Sequence, residues 1–171
     1  PMEYTPGAMN SMQPDNYSAR RPNSASIGTR AYQMALFVVF ESGLQMLADN
    51  PTLYYNNEDC IKFISSVPVL WDETKVLDAK LGEHLVLAKR NADKWYLGGM
   101  TAERKEPLEM DVVLDFLPEG KTYKLTSFED GSNADRQAMH YTKNVREVRK
   151  GDTVKIRMVR NGGYAASLEA L

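Results

Sequence analysis

Two regions of the chain differ in how hydrophobic and polar residues are distributed. In the first, residues 34–40 are seven apolar residues in succession, "MALFVVF", and a second apolar run, "LQMLAD", follows a Ser-Gly break and ends before a proline. A helix that is apolar on every side is buried on every side. The pattern therefore predicts a buried helix that starts near Thr29, with Ser26 or Thr29 as its cap. It also predicts a short buried parallel strand over 44–49 and a short amphipathic helix in "NEDCIKFISSV".

From Val69 onward, short segments alternate between apolar and polar residues. In "TVKIRMV" the apolar residues alternate with lysine and arginine, while "LPEGK", "EDGSNAD" and "RNGG" mark turns. Such regular punctuation predicts an antiparallel β-sandwich or barrel. The chain thus divides into an extended loop segment over 1–28, a helix–strand–helix unit over 29–67 and an all-β domain over 68–171.

The helix–strand–helix unit does not make a core of its own. Parallel strands are normally covered on both faces by further strand–helix units, and the last segment of a (β/α)8 barrel has this order. We therefore expect a mainly β fold, in which a C-terminal antiparallel β-sandwich or barrel follows a helix–strand–helix remnant of a (β/α)8 barrel. Most of the burial partner of 34–40 is expected to lie outside the chain. An exposed apolar helix drives association, which predicts a homodimer through that helix, or a helix folded onto the chain's own sandwich.

Composition excludes several classes of function. The formal net charge is -2 and no long basic run is present, which argues against general nucleic-acid binding. No apolar stretch reaches the roughly 18 residues that span a membrane. The single cysteine, Cys60, cannot form an internal disulfide and is predicted to be a buried thiol.

Seven segments, taken in chain order, resemble one enzyme family. They are "PMEYTPGAM", "GTRAYQMALFVVFESGLQMLADNP", "VPVLWDETKVL", "WYLGGMT", "LDFLPEG", "FEDGSNADR" and "GGYAA". They are spread over nearly the whole chain, from residue 1 to residue 166, and are similar to the C-terminal portion of glycoside hydrolase family 97, the α-glucosidase and α-galactosidase family. One departure is Gly43, where the family pattern has a proline after the serine.

The resemblance implies an enzyme of three domains, an N-terminal β-sandwich, a catalytic (β/α)8 barrel and a C-terminal all-β domain. This chain would carry the last barrel helix, the eighth strand, the eighth helix and the whole C-terminal domain. The resemblance also implies an oligosaccharide substrate, calcium near the active site and a bacterial, periplasmic location. The family's catalytic carboxylates come from segments before "PMEYTPG", so no catalytic residue is assigned here. We expect the chain to be inactive alone and to need the remainder of the barrel as its partner.

Asp49 is the one candidate substrate-binding residue. It ends the predicted parallel strand, and the active sites of (β/α)8 barrels lie at the carboxyl ends of the strands. Its carboxylate is placed to contact a sugar hydroxyl, or to cap the turn that follows through its side chain. The sequence leaves both roles open.

Four aromatic residues raise an alternative function, a non-catalytic carbohydrate-binding or protein-interaction module. Aromatic faces bind sugar rings by apolar contact, and Trp71, Trp95, Tyr96 and Tyr123 lie in the β-domain. Such residues are more often part of a core or of a domain interface. Trp95 and Tyr96 are neighbours on one strand, so only one of them is expected to face inward.

Other polar residues give weaker signals. Glu41 interrupts the apolar run. Buried acids need a partner, so we expect Glu41 to pair with an arginine or to lie where the helix meets solvent. Neighbouring strand residues point to opposite faces, so Asp72 and Glu73 cannot form the carboxylate pair of a glycosidase. His84 and His140 lack companions at the spacing of metal ligands.

The segment "EDGSNAD" contains Asp130, Asn133 and Asp135. Carboxylate and amide oxygens are ligands that calcium prefers, but the order of acids and glycine differs from that of an EF-hand. Its turn chemistry favours a hairpin loop. No metal ligand is therefore assigned in this chain, and calcium is implied only for the complete enzyme.

Overall fold

The computed structural model describes residues 4–20 and 24–171, and its fold is mainly β. The helices are α1 (Arg30–Val39), α2 (Pro51–Tyr55) and α3 (Glu58–Ser66). The strands are β1 (Ser11–Met12), β2 (Ser26–Ile27), β3 (Glu73–Lys80), β4 (His84–Asn91), β5 (Lys94–Thr101), β6 (Leu108–Val113), β7 (Thr122–Asp130), β8 (Tyr141–Arg149), β9 (Thr153–Met158) and β10 (Gly163–Ala170). In the described ranges, no helix is long and apolar enough to cross a membrane.

The β-domain is built on a six-stranded antiparallel sheet with the order β3-β4-β5-β10-β7-β8. The pair β6-β9 covers one face of it, and the hydrophobic cluster between them is called here the strand-side core. Helices α1 and α3 cover the opposite face and enclose the helix-side core. The predicted mainly β fold is confirmed, and its sheet is buried on both faces.

Strand β10 illustrates how alternation serves two cores at once. Tyr164, Ala166 and Leu168 enter the strand-side core, whereas Ala165 enters the helix-side core. Successive side chains of a strand point to opposite faces, so a strand buried on both faces shows nearly continuous hydrophobicity. This is why "GYAASL" reads as apolar rather than as an alternating segment.

Helix α1 lies on the sheet of its own chain. Thr29 caps it by accepting a hydrogen bond from the Tyr32 backbone N–H at 3.0 Å. The helix packs on β5 and β10, where Gly98 allows close approach, because a Cβ there would lie 2.9 Å from Val39 Cγ2. The expectation that its burial partner lies outside the chain is therefore wrong. Of the two predicted arrangements, the helix folded onto the sandwich is confirmed, and α1 is too buried to form a homodimer surface.

The predicted parallel strand over 44–49 is much reduced. Gln45 forms a single parallel bridge with Tyr4, and the pairing continues only through two bonds, from Met46 N–H to Tyr4 O (3.3 Å) and from Ala48 N–H to Pro6 O (3.2 Å). The ladder stops because proline has no N–H to donate. The segment still runs parallel to 4–6, as the end of a barrel sheet would.

Candidate functional site

The two parallel segments end side by side, and Asp49 joins them. Its Oδ2 accepts hydrogen bonds from the backbone N–H groups of Met9 (2.5 Å) and Asn10 (3.2 Å). The turn after Asp49 has its own cap, since the Asn50 side chain accepts from Leu53 N–H at 3.2 Å. Asp49 thus tethers the loop that follows the neighbouring segment instead of capping its own turn. Its contact with a sugar stays a prediction.

Three further side chains hold the same loop. The N–H of Gly7 donates to Gln33 Oε1 (3.2 Å), and its carbonyl accepts from the Tyr54 hydroxyl (3.0 Å). The carbonyl of Met9 accepts from Arg30 Nη2 at 2.8 Å. With Asp49, these contacts satisfy the backbone of the loop through side chains of α1 and α2. We refer to residues 7–10 as the barrel-end loop.

Gly7 itself is required by the geometry of the barrel-end loop. Its φ is +86°, a left-handed conformation that residues with a Cβ rarely adopt. A Cβ at this position would lie 2.8 Å from Phe37 Cε2. The loop is therefore seated closely on α1, and its shape depends on the docking of that helix.

Arg30 connects the barrel-end loop to the β-domain. Its Nη1 donates to Asn57 Oδ1 at 2.8 Å, and its guanidinium lies 5.6 Å from the centroid of the Tyr141 ring on β8. The Tyr141 hydroxyl donates to the Asp59 carboxylate at 2.9 Å. Burial, the first cause, raises the pKa of Tyr141, so the hydroxyl keeps its proton and acts as a donor.

Cys60 lies beside this network and is fully buried. Burial raises the pKa of its thiol to about 11. The thiolate is the nucleophilic form of cysteine, so Cys60 is inert near neutral pH. The prediction of a buried thiol is confirmed.

Asp130 ends β7 and points into the protein. Its Oδ2 accepts from the N–H groups of Val159 (2.9 Å) and Gly163 (3.1 Å), and burial raises its pKa to about 6. The other two oxygen-bearing residues of "EDGSNAD" make separate contacts, Asn133 with Gln137 and Asp135 with Arg136. Within 4–20 and 24–171, no group of three or more His, Cys, Asp or Glu side chains is placed to hold a metal ion. The described residues of this chain therefore do not form a calcium site by themselves, and the calcium that the resemblance implies for the complete enzyme stays a prediction.

The candidate sugar-binding aromatics are largely enclosed. Trp95, Tyr96 and Tyr123 are 2%, 3% and 1% exposed. Trp95 enters the strand-side core and Tyr96 the helix-side core, so the expectation that only one of them faces inward is wrong because both faces of the sheet are covered. Trp71 is half-buried, with its ring 5.5 Å from that of Tyr96. None of these four rings forms an open platform.

Glu41 has a partner, but that partner is a lysine. Lys89, on β4, is 1% exposed, and its ammonium lies 3.0 Å from Glu41 Oε1 and 3.3 Å from the Val39 carbonyl. The Trp71 ring centroid lies 5.3 Å from the same ammonium. This buried cation sits at the C-terminal end of α1, where the helix dipole favours positive charge. The Glu41 side chain is 63% exposed. Of the two predicted alternatives, the position where the helix meets solvent is therefore confirmed and the arginine partner is wrong. The pair with Lys89 joins helix to sheet.

A family model described as "Glycosyl-hydrolase 97 C-terminal, oligomerisation" matches residues 70–169. The chain belongs to glycoside hydrolase family 97. The match begins just before β3 and covers the β-domain, so the family 97 resemblance read from the sequence is confirmed. The description attaches oligomerisation to this domain.

Relatives extend the similarity to family 97 beyond the β-domain. A retaining α-galactosidase of Bacteroides thetaiotaomicron is 39% identical over 169 residues, which are 99% of this chain and 25% of that protein. A probable retaining α-galactosidase of Streptomyces bingchenggensis is 32% identical and covers 96% of this chain and 23% of its own length. The chain thus spans about a quarter of the curated relatives that it matches.

A solved structure agrees with this assignment. A family 97 enzyme from Pseudoalteromonas sp. strain K8, in complex with panose, superposes with a TM-score of 0.79 and 33% identity, over 84% of this chain and 23% of the enzyme. Because the similarity of the Bacteroides protein covers nearly all of this chain, the barrel-end loop belongs to the shared region.

Sequence reasoning found Asp49 but not the side chains that work with it. Gln33, Arg30 and Tyr54 reach backbone groups 26, 21 and 47 residues away. Periodicity reports which residues share a helix face and carries no information on such distant partners. The available signal was Gly7, since a glycine in "YTPGAM" marks a place of special backbone shape or close approach.

Proposed function

We propose that this chain is the C-terminal part of a glycoside hydrolase that cleaves α-galactosides with retention of configuration. The observation that carries the proposal is the barrel-end loop, which Asp49 holds at the carboxyl end of the parallel pair. In (β/α)8 enzymes the loops at this end of the strands build the active site. The family membership and the 39% identity to a retaining α-galactosidase support this reaction and substrate class.

In this proposal the β-domain acts by supporting the barrel end. Helix α1 is clamped between the barrel-end loop and the sheet, through Gln33 on one side and through the packing of Val38 on Gly98 on the other. Holding a loop within a fraction of an ångström is what positions a substrate for reaction. The β-domain is thus a rigid base for one part of the active-site rim.

The residues that cleave the glycosidic bond belong to the rest of the enzyme. The family resemblance puts the catalytic carboxylates before "PMEYTPG", and the calcium and the periplasmic location that it implies stay predictions for the complete enzyme. We expect the 171-residue chain to show no hydrolysis of p-nitrophenyl α-galactoside or α-glucoside, with or without calcium. Turnover by the chain alone would contradict this placement of the carboxylates.

A chimera tests the proposal directly. The matching quarter of the Bacteroides retaining α-galactosidase is replaced by this chain, and hydrolysis of p-nitrophenyl α-galactoside is measured. We expect activity, and we expect Asp49→Ala in the chimera to lower kcat/KM by about tenfold to a hundredfold, because the amides of Met9 and Asn10 lose their acceptor. Asp72→Ala, which alters an exposed carboxylate at the start of the β-domain, is the control and leaves kcat/KM unchanged.

Two outcomes would contradict the proposal. A folded chimera without activity would show that this chain does not complete such a barrel. A chimera whose kcat/KM is the same with Asp49→Ala would show that the barrel-end loop does not shape the active site.

A further inference from the structure

The six-stranded sheet ends in two edge strands, β3 and β8. In the described part of the chain, each of them is paired on one side only. An edge strand presents backbone N–H and C=O groups to any strand that approaches, and natural proteins usually protect such edges with charges or bulges. The two edges of this sheet differ in the charges that they carry, and this difference determines which of them fits a second copy.

We infer that β3 is the surface through which two copies of this chain associate, with the two β3 strands antiparallel about a two-fold axis. The sequence of β3 is "ETKVLDAK". Paired with itself about its midpoint, it places Glu73 opposite Lys80 of the second copy, and Lys75 opposite Asp78. Opposite charges that face each other across strands are stabilising, and the two-fold axis repeats each pair. The strand is therefore complementary to itself.

A β-bulge makes this pairing geometrically consistent. In a regular strand, a two-fold axis between two residues would place the paired side chains on opposite faces. The β3–β4 register shifts by one residue at Leu77. Glu73 lies opposite Arg90 and Lys80 opposite His84, and these two β4 residues, six apart, share one face. Glu73 and Lys80 therefore share a face as well, as an antiparallel partner requires.

Exposed hydrophobic residues line the same edge. Val76 on β3, Leu81 in the following turn and Leu70 before the strand are all exposed. In the antiparallel arrangement, Leu81 of one copy lies next to the segment that precedes Glu73 of the other, where Leu70 is found. Association would remove these side chains from water, which adds a hydrophobic contribution to the backbone pairing.

Strand β8 does not offer a comparable surface to a second copy. It carries three cations and one anion, Lys143, Arg146, Arg149 and Glu147. Paired with itself about Val145, β8 would place Lys143 opposite Glu147 of the second copy, but Arg146 and Arg149 would face no anion. Each strand would keep an excess of two positive charges, which opposes the approach of a second copy. Strand β3, with two cations and two anions, has no such excess.

Present contacts of the β3 charges do not prevent the association. Glu73 pairs with Lys75 and Arg90, and Asp78 with His84, within the same chain. Such exposed ion pairs contribute little to stability, so they exchange partners readily. The inference rests on the oligomerisation part of the family description and names the surface responsible.

The test is sedimentation equilibrium of the 171-residue chain and its charge variants. We expect a dimer that Lys75→Glu or Asp78→Lys each weakens by roughly tenfold or more, since either change sets two pairs of like charges opposite each other. The double variant Lys75→Glu/Asp78→Lys re-creates opposite charges and should restore the dissociation constant to within about threefold. Lys143→Glu on β8 is the matched control and leaves it unchanged.

Thermal unfolding of every variant shows whether a lost dimer reflects a lost fold. A wild-type chain that is monomeric at all concentrations would overturn the inference, as would a dimer that ignores both single reversals or is not restored by the double one. If the isolated chain dimerises but the active chimera does not, a strand of the complete enzyme occupies β3 in place of a second copy. That result would also overturn the inference. Hydrolysis by that chimera is measured separately, so an active but monomeric enzyme would contradict this interface and leave the proposed reaction standing.

Discussion

The two faces of the six-stranded sheet are closed in different ways. The strand-side core lies between the sheet and the β6-β9 pair and consists mainly of hydrophobic side chains, with the buried Thr101 hydroxyl donating to the Val159 carbonyl at its edge. The helix-side core is surrounded by buried polar groups that bind backbone atoms, among them Gln13, Gln33, Lys89 and Asp130. Strands that continue a β-fold satisfy their own backbone, whereas helix ends and loops laid on a sheet need side-chain partners.

This difference shows how a domain is joined to a neighbour of another architecture. Helix α1 begins where two chain segments cross it, because Thr29 N–H donates to the Asn161 carbonyl at 2.9 Å and Arg30 N–H to the Ala138 carbonyl at 2.8 Å. Its other end receives Lys89. Hydrophobic burial alone permits a helix to slide, but such directional contacts fix its position. The helix-side face is therefore the one whose stability should depend on pH and on single polar atoms.

The largest effect is expected from Asp130, at the crossing next to α1. Burial raises its pKa from 3.8 to about 6. A carboxyl group with a higher pKa in the folded state favours folding while it is protonated, fully below pH 4, and this contribution is lost as the pH rises through about 6. A change of about two pH units in pKa corresponds to about 3 kcal/mol.

Urea unfolding at pH 4 and pH 7 measures this contribution. We expect Asp130→Asn to remove about 2 kcal/mol of the difference in unfolding free energy between the two pH values, less than the full contribution because the unfolded carboxyl is partly ionised at pH 4. The amide oxygen of the variant still accepts from Val159 and Gly163. Asn133→Ser, in the same loop, changes no titratable group and is the control, so it leaves the pH dependence as in the wild type. If the unfolding free energy of Asp130→Asn changes between pH 4 and pH 7 as much as that of the wild type, Asp130 is not the source of the pH dependence.

Two adjacent glycines of β5 compare the faces within one strand. A Cβ at Gly98 would lie 2.9 Å from Val39 Cγ2 and 3.0 Å from Val38 Cβ, on the rigid surface of α1. A Cβ at Gly99 would lie 3.0 Å from Met158 Sδ, in the strand-side core. A β-branched side chain on a helix cannot rotate away, whereas a methionine side chain adapts.

We therefore expect Gly98→Ala to lower the free energy of unfolding by about 2 kcal/mol, and Gly99→Ala by less than about 1 kcal/mol. Urea titrations at fixed pH give both values. Limited proteolysis of the two variants should show earlier cleavage in the segment that holds α1 for Gly98→Ala alone. Equal losses would mean that α1 shifts on the sheet as easily as Met158 repacks.

The two faces of the sheet also differ in how much of their packing could be predicted from the sequence. The alternation of "TVKIRMV" predicted a strand with one face inward, and the strand-side core contains Val154, Ile156 and Met158 as that pattern requires. Thr29 was one of two residues predicted to cap α1, with Ser26, because a serine or threonine before an apolar run is a local signal, and the structure shows that Thr29 is the cap. Elements whose packing follows from their own local sequence pattern could thus be predicted.

The packing of the helix-side face could not be predicted in this way. The apolar run of 34–40 indicates a helix buried on all sides. Packing against a barrel outside this chain and packing against the chain's own sheet would both satisfy that pattern. The choice depends on Gly98, some 60 residues away, which the sequence presents only as a glycine inside a strand. Likewise, the parallel pairing is short because Pro6 lies opposite 44–49, and this position is set by the tertiary fold and not by a local sequence pattern.

Tyr96 gives the smallest and most specific test of the comparison. Its ring lies in the helix-side core, and its hydroxyl donates to the Ser66 carbonyl, the last residue of α3, at 2.6 Å. Tyr123 lies in the strand-side core, and within 4–20 and 24–171 no hydrogen bond to its hydroxyl is found. We expect Tyr96→Phe to lower the free energy of unfolding by about 1 kcal/mol and Tyr123→Phe to change it by less than about 0.5 kcal/mol. Both are measured by urea unfolding. A larger loss from Tyr123→Phe would place the dependence on polar atoms in the strand-side core and reverse the contrast between the two faces.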